Sequence, residues 1–258
     1  CAPFSDYSAD DRRPGVGPSI PRWDQAVITL AMHTCAPQSS VALTRDGRLV
    51  AEVDLHLANH RSSDLLPTVE WILKTTGTLI DQVDLFACAA GPGSFTGLRI
   101  GMATCLGLAT ANQKPCVGVS ALESAAYPYL GLGSPVAAVL DARKKQVYVQ
   151  TFDPSGEGGI EARDAAVSIR PGELGEIVRE PTMLIGDGAE LYRREIAELL
   201  GDRALFPPSG LCYHRAHIVA KLAEERFGAS PTPPPFEAIY VRPPDAKPMA
   251  TASADAGD

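Results

Sequence analysis

The first half of the chain alternates short apolar runs with polar turns, which is the pattern of strands and amphipathic helices in an α/β protein. Residues 26–32 form an apolar run of strand length. Residues 41–44 and 49–55 predict two further strands, and the Asp-Gly pair within the turn at 45–48 favours a β-hairpin between them. This half therefore begins with three strands joined by short connections.

A helix is predicted after the hairpin. Asp64 is placed to cap it, Pro67 falls in its first turn, and Gly77 is suited to end it. Its apolar positions recur on one helical face: Leu65, Leu66, Val69, Ile72 and Leu73. Beyond it, strands are predicted over 83–90 and 114–119, and residues 121–129 start another helix.

A second round of the same pattern begins at residue 136. Strands are predicted over 136–140, 146–152, 183–185 and 238–241, and helices over 190–200 and 214–226. The strand-turn-strand pattern of residues 26–44 is similar to that of residues 136–152. We therefore expect two related α/β lobes with mixed sheets.

The domain boundaries follow from changes in composition. Residues 1–25 and 244–258 are rich in small and polar residues without periodicity, and are predicted to be a disordered extension and a flexible tail. The first lobe is assigned to residues 26–130. The second lobe is assigned to residues 131–243, in which a proline-rich linker at 231–235 follows helix 214–226, and this helix is a candidate to pack back on the first lobe.

The most distinctive segment is a glycine-rich loop between the strand at 83–90 and an apolar helix. Gly91 and Gly93 allow a turn with positive φ on either side of a proline, and Gly97 allows a close approach of the first helical turn. Ser94 and Thr96 are candidate helix caps. Free backbone N–H groups at such a helix start suit an anion, but the loop lacks the Gly-Lys-Ser/Thr ending of a Walker A motif and the spacing of GxGxxG.

The helix predicted at 98–111 has a single charged residue, Arg99. Small residues recur every fourth position at Gly97, Gly101 and Cys105, while Leu98, Met102 and Leu106 form a neighbouring apolar stripe. A helix without a polar face is buried either in its own fold or against another protein. These are the two alternatives that the residues alone leave open.

Composition and charge narrow the function classes. Hydrophobic residues make up 45% of the 258 residues and the formal net charge is −8, which opposes binding of nucleic acid over the surface as a whole. No apolar run approaches the roughly 20 residues of a membrane span. The six cysteines lack CxxC spacing and predict buried free thiols in a reducing compartment. Cys1 indicates either a missing start or, less simply, a processed lipoprotein terminus.

Several motifs together resemble the bacterial TsaB family, also called YeaZ. They occur in the family's order: RSSDLLP at 61–67, GPGSFTGLRIG at 91–101, VGVSALE at 117–123, DARKKQVY at 141–148, GDGA at 186–189 and YVRP at 240–243. The glycine-rich motif is the specific one, and the others support it through their order. The resemblance covers about residues 26–248.

This resemblance implies a two-lobed α/β fold of the actin/Hsp70/sugar-kinase type (ASKHA). It implies a non-catalytic cytoplasmic subunit of the complex that makes N6-threonylcarbamoyladenosine (t6A37) in tRNA. The expected partners are a catalytic TsaD-like subunit, which carries the metal, and the ATPase TsaE; tRNA would be bound only through the complex. The resemblance implies no cofactor or metal of this chain's own, with ATP or ADP only at the complex interface, and a homodimer when the chain is alone.

The resemblance also places the partner contact on helices of the first lobe. The expected contact residues are Leu98, Gly101, Met102, Cys105 and Leu106, followed by Leu65, Leu66, Val69 and Ile72. The loop residues Gly91, Gly93, Ser94, Thr96, Gly97 and Arg99 would position this helix. Under this reading a second polypeptide covers the apolar helix.

The chain departs from the family at His33, where relatives usually have Asp after the first strand. An imidazole cannot supply the hard oxygen ligand that the Mg²⁺ of a nucleotide prefers, which disfavours the alternative of a sugar-kinase-like phosphotransferase unless Asp141 substitutes. We interpret His33 as a strand-end residue with local hydrogen bonds. A peptidase is a further alternative without HExxH or a placed triad. His56 with His60, and His214 with His217, are weak candidates for a metal pair.

Overall fold

The computed structural model of the chain describes residues 27–55, 64–155, 159–209, 214–229 and 236–242. The predicted tails at 1–25 and 244–258 and the linker at 231–235 lie outside the described residues. So do His56, His60, Cys1 and Cys212, together with the start of the RSSDLLP motif.

The first lobe is built on a five-stranded mixed sheet. Its strands are β1 (Ile28–His33), β2 (Ser39–Arg45), β3 (Arg48–Leu55), β4 (Leu85–Ala89) and β5 (Cys116–Val119). Their spatial order is β3-β2-β1-β4-β5, in which β1 is antiparallel to β2 and parallel to β4. The predicted hairpin is therefore confirmed, with Asp46 and Gly47 at positive φ in its turn.

The second lobe repeats this topology. Its strands are β6 (Val136–Asp141), β7 (Val147–Ser155), β8 (Gly159–Ala162), β9 (Val167–Ile169), β10 (Thr182–Ile185) and β11 (Ala204–Leu205). The order β8-β7-β6-β10-β11 has the same antiparallel and parallel pairings as the first sheet, and β9 pairs with β7. The repeat inferred from two strand-turn-strand patterns thus extends to both whole sheets.

Six α-helices are described. They are α1 (Leu65–Thr76), α2 (Phe95–Ala111), α3 (Ala121–Ala126), α4 (Asp187–Leu191), α5 (Arg193–Leu200) and α6 (Ala216–Ala229). Short 3-10 helices occupy Ile80–Gln82, Tyr127–Leu132, Pro171–Glu176 and Gly201–Arg203. Within the described ranges no helix is long and apolar enough to cross a membrane.

The first sheet is covered on both faces. Leu30 and Met32 of β1 face α1 and α2, while Ala31 between them faces α6. Successive residues of a strand point to opposite faces, so this alternation assigns α6 to the side opposite α1 and α2. Helix α6, which follows the second sheet in sequence, therefore packs on the first sheet.

Three local predictions need correction. The Asp64 side chain makes no cap hydrogen bond; instead its backbone carbonyl accepts from the Thr68 hydroxyl at 2.7 Å. Residues 238–241 are extended but are not part of a sheet, since Ile239 makes its backbone bond to Ala90 in the strand-to-helix loop. The helix predicted at 190–200 is divided into α4 and α5 at Tyr192.

Candidate partner-binding surface and interlobe cleft

The glycine-rich loop holds the start of α2 against the end of β1. Gly91 and Gly93 have φ of 100° and 157°, conformations that residues with a Cβ rarely adopt. The Ser94 N–H donates to the Cys35 carbonyl at 2.7 Å, and the Ser94 hydroxyl accepts from the Gly97 N–H at 3.3 Å. Ser94 is therefore the helix cap, as predicted, whereas Thr96 lies exposed inside the first turn and makes no cap bond.

The first two turns of α2 lie directly against residue Thr34. A Cβ on Gly97 would overlap the Thr34 backbone carbonyl, and a Cβ on Gly101 would overlap the Thr34 hydroxyl. That hydroxyl donates to the Gly97 carbonyl at 2.7 Å. The predicted close approach at Gly97 is thus confirmed, and the element approached is the chain's own β1–β2 connection.

Helix α2 therefore divides into an inner face, which its own fold covers, and an outer face, which it leaves exposed. Its inner face carries the small-residue stripe, and Gly101 and Cys105 are buried against the first sheet. Leu98 is also buried, and Met102 is partly buried between the two core clusters. The expectation that Leu98, Gly101 and Cys105 contact a partner is corrected, because this chain already covers them, whereas the assignment of Met102 stays a prediction. Leu106 is the exception and is 49% exposed.

The outer face of α2 is exposed and almost uncharged. We define it by the eight exposed residues of the helix: Phe95, Thr96, Arg99, Ala103, Leu106, Gly107, Thr110 and Ala111. Only Arg99 among them carries a charge. Helix α5 differs, since Arg194, Glu195 and Glu198 account for three of its five exposed positions. The face that a helix presents to water is typically rich in charged residues, as it is in α5. The nearly uncharged outer face of α2 instead has the composition of a contact surface.

Aromatic residues extend this face at the start of the helix. The Arg99 guanidinium lies 3.8 Å from the centroid of the Phe95 ring, and the Tyr240 ring lies 6.1 Å from Phe95. Sequence reasoning missed Phe95 and Tyr240 as surface residues. Phe95 was readable within the glycine-rich motif, but Tyr240 reaches it only through the extended segment at 236–242.

Helix α1 offers a smaller exposed apolar area. Leu65, Val69 and Ile72 are buried in the core, which corrects their assignment to a partner contact. Of the four residues proposed on this helix, only Leu66 is exposed, at 53%. Trp71, which was not proposed, is exposed by 55%.

A cleft of about 350 Å³ separates the glycine-rich loop from the second lobe. Ser94, Phe95 and Thr96 line one side, and Asp141 and Arg143 line the other. The Asp141 carboxylate is held by its own turn, because it accepts from the Arg143 N–H at 2.9 Å and pairs with the Arg143 guanidinium at 3.1 Å. Asp141 is thus positioned by Arg143, which restricts the orientation in which it could substitute for the missing carboxylate at residue 33.

His33 is not one of the residues that line this cleft. It is fully buried, and its ring stacks on His214 with 4.7 Å between centroids. Neither ring nitrogen of His33 has a hydrogen-bond partner, which corrects the interpretation of His33 as locally satisfied. Burial, together with the neighbouring His214, holds the pKa of His33 well below its usual 6.5. His214 in turn lies 3.6 Å from the Asp187 carboxylate of the second lobe.

The remaining weak candidates have separate partners. His217 contacts the Glu52 carboxylate through Nδ1 at 2.9 Å, so His214 and His217 do not converge on one point. Burial by itself would raise the pKa of the Glu52 carboxyl, but hydrogen bonds from His217 and the positive charge of Arg215 outweigh it, so the pKa is lowered. In the described part of the chain no group of three metal-ligating side chains converges.

Cys35, Cys88 and Cys105 are buried free thiols as predicted, and Cys116 is a partly buried one.

Comparison with known proteins agrees with this geometry. The chain is 35% identical over 153 residues to the tRNA threonylcarbamoyladenosine biosynthesis protein TsaB of Escherichia coli, covering 58% of this chain and 64% of that protein. It is 26% identical over 203 residues to the Bacillus subtilis TsaB protein, covering 78% and 88%. The solved structure of YeaZ from Pseudomonas aeruginosa superposes with a TM-score of 0.69 at 27% identity, covering 83% of this chain and 99% of that one. The chain is similar to the TsaB family over most of its length. Its two repeated mixed sheets are the two-lobed ASKHA fold that the resemblance implied.

A family model also matches part of the chain. The model described as TsaD, tRNA N6-adenosine threonylcarbamoyltransferase, matches residues 55–172. This segment includes the glycine-rich loop and α2. The alignment with the Escherichia coli protein spans slightly less than two thirds of that protein's length.

Proposed function

We propose that this chain takes part in t6A synthesis in the cytoplasm as a non-catalytic subunit that binds and activates a TsaD-type catalytic subunit. The observation that carries the proposal is that the outer face of α2 is exposed and almost uncharged. Among its eight exposed residues only Arg99 is charged, and it includes Phe95 and Leu106. Similarity to the TsaB family supplies the process, since the curated relatives are named for threonylcarbamoyladenosine biosynthesis.

The partner's identity is supported by the structural kinship of the two subunits. A family model for TsaD matches the part of this chain that contains α2. A related subunit would present a similar helix, and two such helices can pair across an approximate two-fold axis. The same geometry supports self-association when the partner is absent. A TsaE-type ATPase would join this assembly through other surfaces.

The electrostatics favour an indirect role in tRNA binding. The net charge of −8 opposes phosphate contacts over the surface as a whole. We therefore propose that tRNA is held by the complex and that any ATP or ADP is bound where subunits meet. In the cleft, Asp141 is already paired with Arg143, which supports an assignment of catalysis to the partner.

Two experiments test this proposal. In cells depleted of the chain, t6A in bulk tRNA, measured by liquid chromatography and mass spectrometry, is expected to fall and to return on expression of the wild-type gene. In a purified system, threonylcarbamoyl-adenylate and tRNA are expected to yield t6A with the TsaD-type partner and this chain together, but not with this chain alone. Unchanged t6A after depletion would contradict the role in synthesis, and t6A formed by the chain alone would contradict the non-catalytic role.

A further inference from the structure

Two free thiols meet beneath α2. The Sγ atoms of Cys105 and Cys116 are 3.3 Å apart, with Cys105 on the inner face of α2 and Cys116 at the first position of β5. A disulfide requires an S–S separation of about 2.05 Å. Closing the gap needs a movement of little more than about 1 Å, which side-chain rotation and a small shift of the helix can supply.

The two thiols differ in access. Cys105 is fully buried, while Cys116 is only partly buried at the start of the edge strand β5. The hydrogen bond with the Cys116 thiol, together with burial, raises the pKa of the Cys105 thiol, so Cys105 stays protonated. The thiol that a small oxidant reaches first is therefore Cys116, and Cys105 is in position to resolve the product.

We propose that Cys105 and Cys116 are an oxidative modification site at which hydrogen peroxide oxidises the two thiols to an intrachain disulfide. The Cys116 thiolate attacks one peroxide oxygen, an S–O bond forms, the O–O bond breaks, and hydroxide leaves. The Cys105 sulfur then attacks the Cys116 sulfenic sulfur, the S–S bond forms, and the S–O bond breaks. Water leaves with the Cys105 proton. In sum, two thiols are oxidised and one peroxide is reduced to two waters.

This site is independent of the proposed role in t6A synthesis, because it rests on two side chains that pack within one lobe. It does bear on the outer face of α2. Cys105 directly precedes the exposed Leu106, so the disulfide would tie the helix to β5 from its inner side.

The sequence offers a direct readout by mass spectrometry. Trypsin cleaves after Arg99 and Arg143 but cleaves poorly at Lys114, because proline follows it. The resulting peptide, residues 100–143, contains Cys105 and Cys116 and no other cysteine. The reduced full-length chain is treated with hydrogen peroxide, its remaining thiols are alkylated, and it is digested without reductant. We expect this peptide to be unalkylated and lighter than the reduced, unalkylated peptide by the mass of two hydrogens. When dithiothreitol is added before alkylation, we expect the peptide to be alkylated on both cysteines.

Three variants separate the proposal from other thiol chemistry. Cys105→Ala is expected to leave a sulfenic acid on Cys116 that dimedone traps, and Cys116→Ser is expected to leave Cys105 reduced. Cys88→Ala serves as the matched control, because Cys88 is equally buried in the same core cluster and should not affect the disulfide. Circular dichroism checks that each variant is folded. Double alkylation of the wild-type peptide after peroxide, its overoxidation without a disulfide, or its cross-linking to a different cysteine would overturn the proposal.

Discussion

The contact between the first turn of α2 and Thr34 predicts a clear contrast between two glycines of the same helix. A Cβ at Gly97 would overlap the Thr34 backbone carbonyl, which cannot rotate away. A Cβ at Gly107 would meet no atom within 4 Å. Replacement by Ala removes the same helix-propensity penalty of about 1 kcal/mol at both positions, so the contact with Thr34 determines the difference.

The expected magnitudes follow from these contacts. Overpacking a tight contact costs about 1–3 kcal/mol, and a rigid backbone neighbour places Gly97→Ala near the upper end of this range. After the gain in propensity, we expect Gly97→Ala to lower the free energy of unfolding by about 2 kcal/mol. Gly107→Ala is expected to raise it by up to about 1 kcal/mol.

Urea unfolding followed by circular dichroism measures both changes, with the m-value as a check that the unfolded states are comparable. Thermal unfolding should agree, at about 2–4 °C per kcal/mol for a chain of this size. If Gly97→Ala is as stable as Gly107→Ala, the close packing of α2 on Thr34 is wrong, and so is the division of the helix into inner and outer faces.

Two further predictions concern buried ionisable groups. Burial and the adjacent His214 lower the pKa of His33, so as the pH falls this imidazole is protonated in the unfolded chain before it is protonated in the folded chain. The free energy of unfolding should therefore decline below about pH 6.5, by at most about 2 kcal/mol at pH 5. His33→Gln should reduce this decline, measured by urea unfolding at about pH 6.5 and about pH 5. Arg226 donates to the Gly118 carbonyl at 2.8 Å and pairs with Glu123, whose pKa is raised by burial. Arg226→Met should cost about 1–3 kcal/mol at pH 7 and less at a pH where Glu123 is protonated, and an equal loss at both pH values would contradict this pairing.

Local signals in the sequence predicted much of the first lobe. The Asp-Gly hairpin, the glycine that ends α1 and the serine that caps α2 all depend on neighbouring residues, and the structure confirms each one. The repeat of two strand-turn-strand patterns was also sufficient to anticipate two related sheets. The short strands β8, β9 and β11 were missed because each has four residues or fewer and takes its conformation from a neighbour in the sheet.

The sequence predicted which segments are helices better than it predicted which side of a helix faces the core. Because α2 is apolar all round, periodicity does not distinguish its inner face from its outer face. The stripe of Gly97, Gly101 and Cys105 held the relevant signal, since small residues mark a close backbone contact, but the sequence does not say with which element. The predicted partner surface on α2 combined residues of both faces: the structure buries Leu98, Gly101 and Cys105, whereas Leu106 is exposed. The stacking of His33 on His214 joins residues distant in sequence and leaves no local pattern.

The central claim is that the outer face of α2 binds a TsaD-type subunit, and the most direct measurement is the affinity of the purified chain for that subunit. Leu106→Asp places a charge in this face, and Leu191→Asp is a matched control at a 61% exposed leucine on α4 of the second lobe. Charge within a desolvated contact should weaken binding by at least about tenfold, or about 1.4 kcal/mol, without a change in unfolding. The account predicts this loss for Leu106→Asp and wild-type affinity for Leu191→Asp, measured by titration calorimetry. Wild-type affinity of a folded Leu106→Asp variant would contradict it.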